Sequence, residues 1–231
     1  MSVPRRPVCD QTAGCTGSAR STSSLADRKG KSMIRTFLSV EITDEVRTAI
    51  SKAQHDLKER LAAHLSKEIR ITWGQVNSFH LTLRFLGETE KHLIDQLREA
   101  MASVRRSHPT IQIPIDRLQA FPSFEKPRVL WVGPSDEWLK SEPAKRLAAL
   151  HREIESCCHS FGFAPDEKPF NPHLTLARIK LGERQVGELL AKSGVCEQVL
   201  RLGSMTVGPI VLMKSHLRPT GPVYTKLWEV V

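Results

Sequence analysis

The tetrapeptide His-Leu-Thr-Leu occurs twice in this chain, at His80–Leu83 and again at His173–Leu176, each time inside a run with the character of a β-strand. Strand side chains alternate between the two faces of a sheet, so in each copy the leucines point one way, into a core, and the histidine and threonine point the other way. Four identical residues in the same inferred setting predict two matched halves. The simplest geometry sets the two histidines facing each other across a groove.

The flanks extend the pattern. Around the first copy Phe79, Leu81, Leu83 and Phe85 form one apolar face, leaving His80, Thr82 and Arg84 on the other, and the Gly87-Glu88 pair marks a strand end. Around the second copy Leu174 and Leu176 oppose His173 and Thr175. On the same alternation Arg178 falls on the leucine face, so a bulge or a strand end is needed to bring it beside His173. Gln75–Ser78 and Lys168–Pro172 are polar or proline-containing entries, so each histidine is expected to open its strand near solvent.

Between the motifs, a strand from Ile34 to Glu41 precedes a helix that starts at Thr43 or Asp44 and carries Val46, Ile50, Leu57, Leu61 and Leu65 at helical spacing. A strand over Arg70–Trp73 and a helix bearing Leu93, Ile94, Leu97, Met101 and Val104, stopped by Pro109, complete a first lobe. The second half repeats the grammar with strands over Ile111–Gln119 and Arg128–Val132, a helix over Glu142–Ser160, the second motif strand, a helix near Arg184–Ala191, and strands over Ser204–Met213 and Val223–Val230. This mixed order predicts α+β architecture rather than a doubly wound parallel sheet.

Composition narrows the class. The chain has 231 residues, 40% of them hydrophobic, and no apolar run approaches the roughly 20 residues needed to cross a bilayer. A cytoplasmic protein without membrane partners, monomeric in solution, is expected. The five cysteines, Cys9, Cys15, Cys157, Cys158 and Cys196, fall in no metal-ligand spacing and are expected to be reduced thiols. Residues 1–32 hold Arg5, Arg6, Arg20, Arg28, Lys29 and Lys31 against Asp10 and Asp27, with few aliphatic side chains to bury. Such a segment is expected to be a disordered basic tail or an extended start ahead of a single domain at 33–231. The net charge of +9 exceeds what the tail contributes, so the domain is itself basic, a weak pointer to anionic ligands.

The runs Phe79–Glu88 and Arg128–Gly133 resemble the two-histidine (2H) phosphoesterases, as do Pro169–Arg178 and Tyr224–Leu227. The likeness is closest to the RNA 2′,3′-cyclic phosphodiesterase family, historically called 2′-5′ RNA ligase, and covers roughly Met33 to Val231. The resemblance implies a bilobal, pseudo-symmetric fold, with two mostly antiparallel sheets facing a central cleft and helices outside. It implies hydrolysis of a ribose 2′,3′-cyclic phosphate, on RNA ends or nucleotides, to a 2′-phosphate, with no metal and no organic cofactor. His80 would then donate a proton to the 3′ oxygen and His173 accept one from water. Reverse 2′-5′ RNA ligation is a further implied possibility.

The residue types suit that chemistry. Opening a cyclic phosphodiester needs a base and an acid, and histidine titrates near working pH, so a pair can be poised with one ring neutral and one protonated. Thr82 and Thr175, on the histidine face, would supply hydroxyl donors to non-bridging phosphate oxygens. Arg178 is the first candidate for a cationic phosphate contact and Arg84 the second. Phe121, Phe124, Phe170 and Trp131 are candidates for base stacking, with the Pro122–Pro127 loop as a cleft rim.

Three other readings remain open at this point. A metal-dependent hydrolase would use the two histidines as ligands, but no carboxylate or further histidine accompanies either at ligand spacing. A 2′-5′ oligonucleotide phosphodiesterase would use the same residues. A non-catalytic RNA-binding module would keep the basic groove, yet gives no reason for two copies of the motif.

Overall fold

Strand runs of period two alternate with helical runs in the computed structural model, which describes residues 32–231 apart from 63, 65, 219 and 220. In chain order the elements are β1 (Met33–Glu41), α1 (Asp44–Ala62), β2 (Arg70–Trp73), β3 (His80–Glu90), α2 (Leu93–Arg106), β4 (Ile111–Pro114), β5 (Arg117–Phe121) and β6 (Val129–Gly133). They continue with α3 (Glu142–Ser160), β7 (Leu174–Leu181), α4 (Glu183–Lys192), β8 (Ser204–Val207), β9 (Ile210–Arg218) and β10 (Gly221–Val230). The expectations for the tail, for Cys9 and Cys15 and for Leu65 fall outside the described residues.

Local chemistry explains the helix starts. The Thr43 hydroxyl accepts the Val46 N–H at 3.4 Å, and Asp44 and Glu45 place negative charge on the first turn of α1. Ser141 caps α3 by accepting from Ala144 N–H at 3.5 Å, with Pro143 in the first turn, where a missing N–H costs nothing.

Two four-stranded sheets result, ordered β10-β9-β1-β3 and β2-β7-β6-β5, with a separate β4-β8 ribbon. Every described pairing is antiparallel, so the architecture is α+β as the element order predicts. The lobes, however, are not successive halves of the chain. The first half sends β2 to the sheet of the second motif, while β9 and β10 return from the C-terminal end to the sheet of the first.

The helices cross in the same sense. From α1, Gln54 bonds to backbone of the β2-β7 region, while α3 packs on β3 and α2. Both lobes share one apolar core running from Leu38 to Val230. Burial within it pushes the Cys158 thiol up to about 12, and Cys157, Cys158 and Cys196 are free thiols.

Two expected strands are each divided. Ile111–Gln119 splits because the chain changes partners at Ile115-Asp116: the Ile115 N–H donates to Gly203 O and the Asp116 N–H to Gly133 O. Ser204–Met213 splits at Gly208-Pro209, where proline lacks the N–H a ladder requires.

Gly187 fixes how closely α4 approaches the loop that follows Phe121. A Cβ there would lie 2.5 Å from both Phe124 O and Glu125 O. Alanine would improve helix propensity by about 1 kcal/mol, but backbone must move to admit it, at a cost of roughly 1–3 kcal/mol. Gly187→Ala is therefore expected to lower the melting temperature. A rise would show that α4 can withdraw from the loop freely.

Candidate active site

The motif strands hold a feature that plain alternation does not contain. In β3 the register runs Ser39↔Thr82 and then Leu38↔Arg84, leaving Leu83 as an extra residue; in β7 it runs Trp131↔Thr175 and then Leu130↔Ala177, leaving Leu176 extra. The same position of each His-Leu-Thr-Leu copy is thus bulged. A bulge reverses the phase of the residues beyond it. His80–Leu86 and His173–Ile179 accordingly share one pattern: half-buried, buried, half-buried, buried, buried, exposed, buried.

The phase reversal settles the two arginines in opposite ways. Arg178 turns to the side of His173 and Thr175, as the bulge alternative requires, and lines the cleft. Arg84 turns away from the cleft, against α3. Its Nε lies 2.7 Å from Glu155 Oε1, its Nη1 3.5 Å from Asp166 Oδ2, and Nη2 donates to Ala164 O. The expectation that Arg84 shares the His80 face is therefore incorrect, and Phe85, expected in the core, instead lines the cleft at 57% exposure. Nor does Gly87-Glu88 end the strand. Gly87, with φ of 72°, follows a second bulge at Leu86, and β3 continues to Glu90.

The cleft has a volume of about 530 Å³ and takes its walls from both sheets. Thr36, Phe37, His80, Thr82, Phe85 and Tyr224 come from one side, and Trp73, His173, Thr175, Arg178 and Lys180 from the other. None of the described residues lining it is an aspartate or glutamate. Among the described residues no group of three or more His, Cys, Asp or Glu is arranged to hold a metal ion. No helix among them is long and apolar enough to cross a membrane.

The two histidines are held alike. His80 Nδ1 lies 2.7 Å from Ser78 O and His173 Nδ1 lies 2.8 Å from Asn171 O. A carbonyl can only accept, so each Nδ1 carries the proton, and a neutral ring keeps its lone pair on Nε2. Aromatic edges fix both rings: Tyr224 meets His80 at 5.1 Å and 89°, and Phe121 meets His173 at 5.2 Å and 89°.

Burial disfavours the charged form of both, holding each below the usual histidine range despite the opposing carbonyl bonds. His173 further lowers His80, Glu41 opposes that shift, and Arg178 further lowers His173.

The four aromatics expected to stack on a base do not line the cleft, nor does the Pro122–Pro127 loop. Trp131 is buried and stacks on Phe121 at 4.9 Å, Phe124 packs on the core, and Phe170 stacks on His151 at 4.1 Å. The cleft aromatics are instead Phe37, Trp73, Phe79, Phe85 and Tyr224. Arg35 and Lys180 join Arg178 as cationic lining residues. Lys180 follows Arg178 by two, so the same phase argument locates it. Arg35 carries no such signal, because it lies ahead of the motif in a strand whose partners are set by tertiary pairing.

Two opposed sheets, each presenting a clamped histidine and a threonine two residues on, define the two-histidine phosphoesterase class. The chain belongs to the 2′-5′ RNA ligase superfamily, whose family model matches residues 76–218. It is 38% identical over 156 residues to a protein of Aeropyrum pernix named RNA 2′,3′-cyclic phosphodiesterase, covering 66% of this chain and 81% of that one. It is 32% identical over 182 residues to a protein of the same name from Aquifex aeolicus, covering 78% and 91%.

Among solved structures, E. coli LigT complexed with 3′-AMP superposes with a TM-score of 0.62 at 22% identity, covering 87% of this chain and 99% of that one. TT0787 of Thermus thermophilus gives 0.63 at 22% identity, covering 85% and 97%. At that identity the likeness is one of fold.

The placement of Arg84 has a measurable consequence. Arg84→Met leaves Glu155 and Asp166 without their cation and should lower unfolding free energy by roughly 2–4 kcal/mol, near the lower end for broken buried pairs because both carboxylates keep some solvent contact. The folded variant should bind inorganic phosphate as the parent does. Weakened phosphate binding at unchanged stability would return Arg84 to the cleft.

Proposed function

We propose that this protein hydrolyses 2′,3′-cyclic phosphates, on RNA ends or nucleotides, to 2′-phosphates by acid–base catalysis between His80 and His173. The observation that carries the reading is the pair of rings with matching Nδ1–carbonyl bonds, brought from opposite sheets into one cleft whose described lining holds no carboxylate. Water attacks phosphorus and the P–O3′ bond breaks. His173 Nε2 takes a proton from the water, and His80 Nε2 gives one to the departing 3′ oxygen. The names of the relatives support this substrate class, and a 5′-hydroxyl in place of water would give a 2′-5′ linkage.

Thr82 and Thr175 stand on the cleft side of their strands, where hydroxyls donate to the non-bridging oxygens. Arg178 adds a fixed positive charge on the His173 side. The roles assigned to these five side chains need no cofactor and no metal, so turnover of a 2′,3′-cyclic nucleotide is expected to persist in excess chelator. Loss in chelator with restoration by a divalent ion would overturn the mechanism.

The acid and base are separable by experiment. Replacing either histidine with alanine should slow chemistry by roughly 10²- to 10⁴-fold. A substrate whose leaving group needs no protonation should rescue His80→Ala far more than His173→Ala. Equal rescue, or rescue of His173→Ala alone, would dissolve the assignment.

Burial also sets the pH dependence. The productive form holds one ring protonated and one neutral, and both rings sit below the usual range in the free protein. kcat/KM, which reports the free enzyme, should therefore fall as pH rises through the depressed values and peak on the acid side of 6.5. A bound phosphate anion raises both values, so the kcat bell should lie at higher pH. Coincident profiles centred above neutrality would contradict this.

A further inference from the structure

We propose that Gln54 is a positioning residue that holds the bulge of the second motif strand and thereby decides which side chains that motif presents to the cleft. The proposal rests on the phosphodiesterase reading only for its kinetic measurements. A bulge takes a residue out of the ladder and leaves its carbonyl to find another donor.

At Leu176 that carbonyl accepts from Gly74 N–H at 2.7 Å and from Gln54 Nε2 at 2.9 Å. The same amide nitrogen donates its second hydrogen to Gly74 O at 2.9 Å. Gln54 is 3% exposed. Gly74 approaches β7 so closely that a Cβ would lie 3.2 Å from Thr175 O and 3.3 Å from Leu176 O.

The donor comes from the helix of the opposite half: α1, which follows β1, serves β7. What the bulge needs from it is one N–H aimed at the Leu176 carbonyl, and glutamine supplies it.

Without the Gln54 amide, the buried Leu176 carbonyl keeps only the Gly74 N–H and Gly74 O loses its donor from the same nitrogen, and the strand relieves this by slipping toward regular alternation. That slip would move Arg178 toward the leucine face. Gln54 therefore acts on phosphate binding through Arg178.

The test uses the full chain, calorimetric binding of inorganic phosphate, and steady-state kinetics on a 2′,3′-cyclic mononucleotide. Gln54→Leu should weaken phosphate binding and raise KM about tenfold, with a smaller loss in kcat. In an Arg178→Ala background, Gln54→Leu should add nothing to the loss of phosphate affinity.

Unchanged phosphate binding in Gln54→Leu, or additive losses in the double variant, would overturn the proposal. If the leucine variant does not fold, Gln54→His restores a donor and should recover phosphate binding; failure to do so in a folded protein also counts against the proposal. Phosphate binding that follows this pattern in a protein without turnover would refute the phosphodiesterase reading alone.

Discussion

A single extra residue in each motif strand organises the cleft. Regular pairing through Leu83 and Leu176 would direct Arg84 and Ala177 to the histidine side and bury Phe85 and Arg178. With the bulges, the order reverses, and one motif offers an aromatic wall where the other offers a guanidinium. The two copies thus share a backbone shape while differing in what they hold out. That difference suits a substrate with an anionic end and an apolar end.

The same shift gives Arg84 its second task. Turned away from the cleft, it binds Ala164 O, Glu155 and Asp166, and so ties β3 to the segment that leads through Phe170 to His173. The strand of one histidine thereby anchors the approach to the other. His151, on the helix that packs against β3 and stacked on Phe170, joins the two motifs by a parallel route. Both connections lie behind the sheet, out of reach of substrate.

Much of the site was legible up to the bulge and less beyond it. Alternation correctly located His80 with Thr82 and His173 with Thr175, because nothing interrupts the first three residues of either motif. It failed at Arg84 and Phe85, since the bulge is a shift in register against β1 that no local pattern marks. For Arg178 the needed bulge was named as a condition, and it is present. Helix starts came through well, at Thr43 or Asp44 for α1 and at Glu142 for α3. Strand partnership did not: Ile111–Gln119 looks continuous in sequence and divides only because its backbone donors find different carbonyls. The loop aromatics misled for a similar reason, as ring type says nothing about which face of a sheet it packs against.

The crossing of α1 and β2 to one sheet, and of α3, β9 and β10 to the other, makes the chain equivalent to a domain-swapped pair of repeats whose two copies are joined end to end. Neither half encloses its own motif, so an isolated half would expose the face that its sibling covers. Two half-length chains could complete each other only by exchanging these arms, and one covalent chain makes that exchange intramolecular, at a high effective concentration of each arm for the other. Long-range pairing must then precede the assembly of either histidine's surroundings, so the two halves of the cleft form together or not at all.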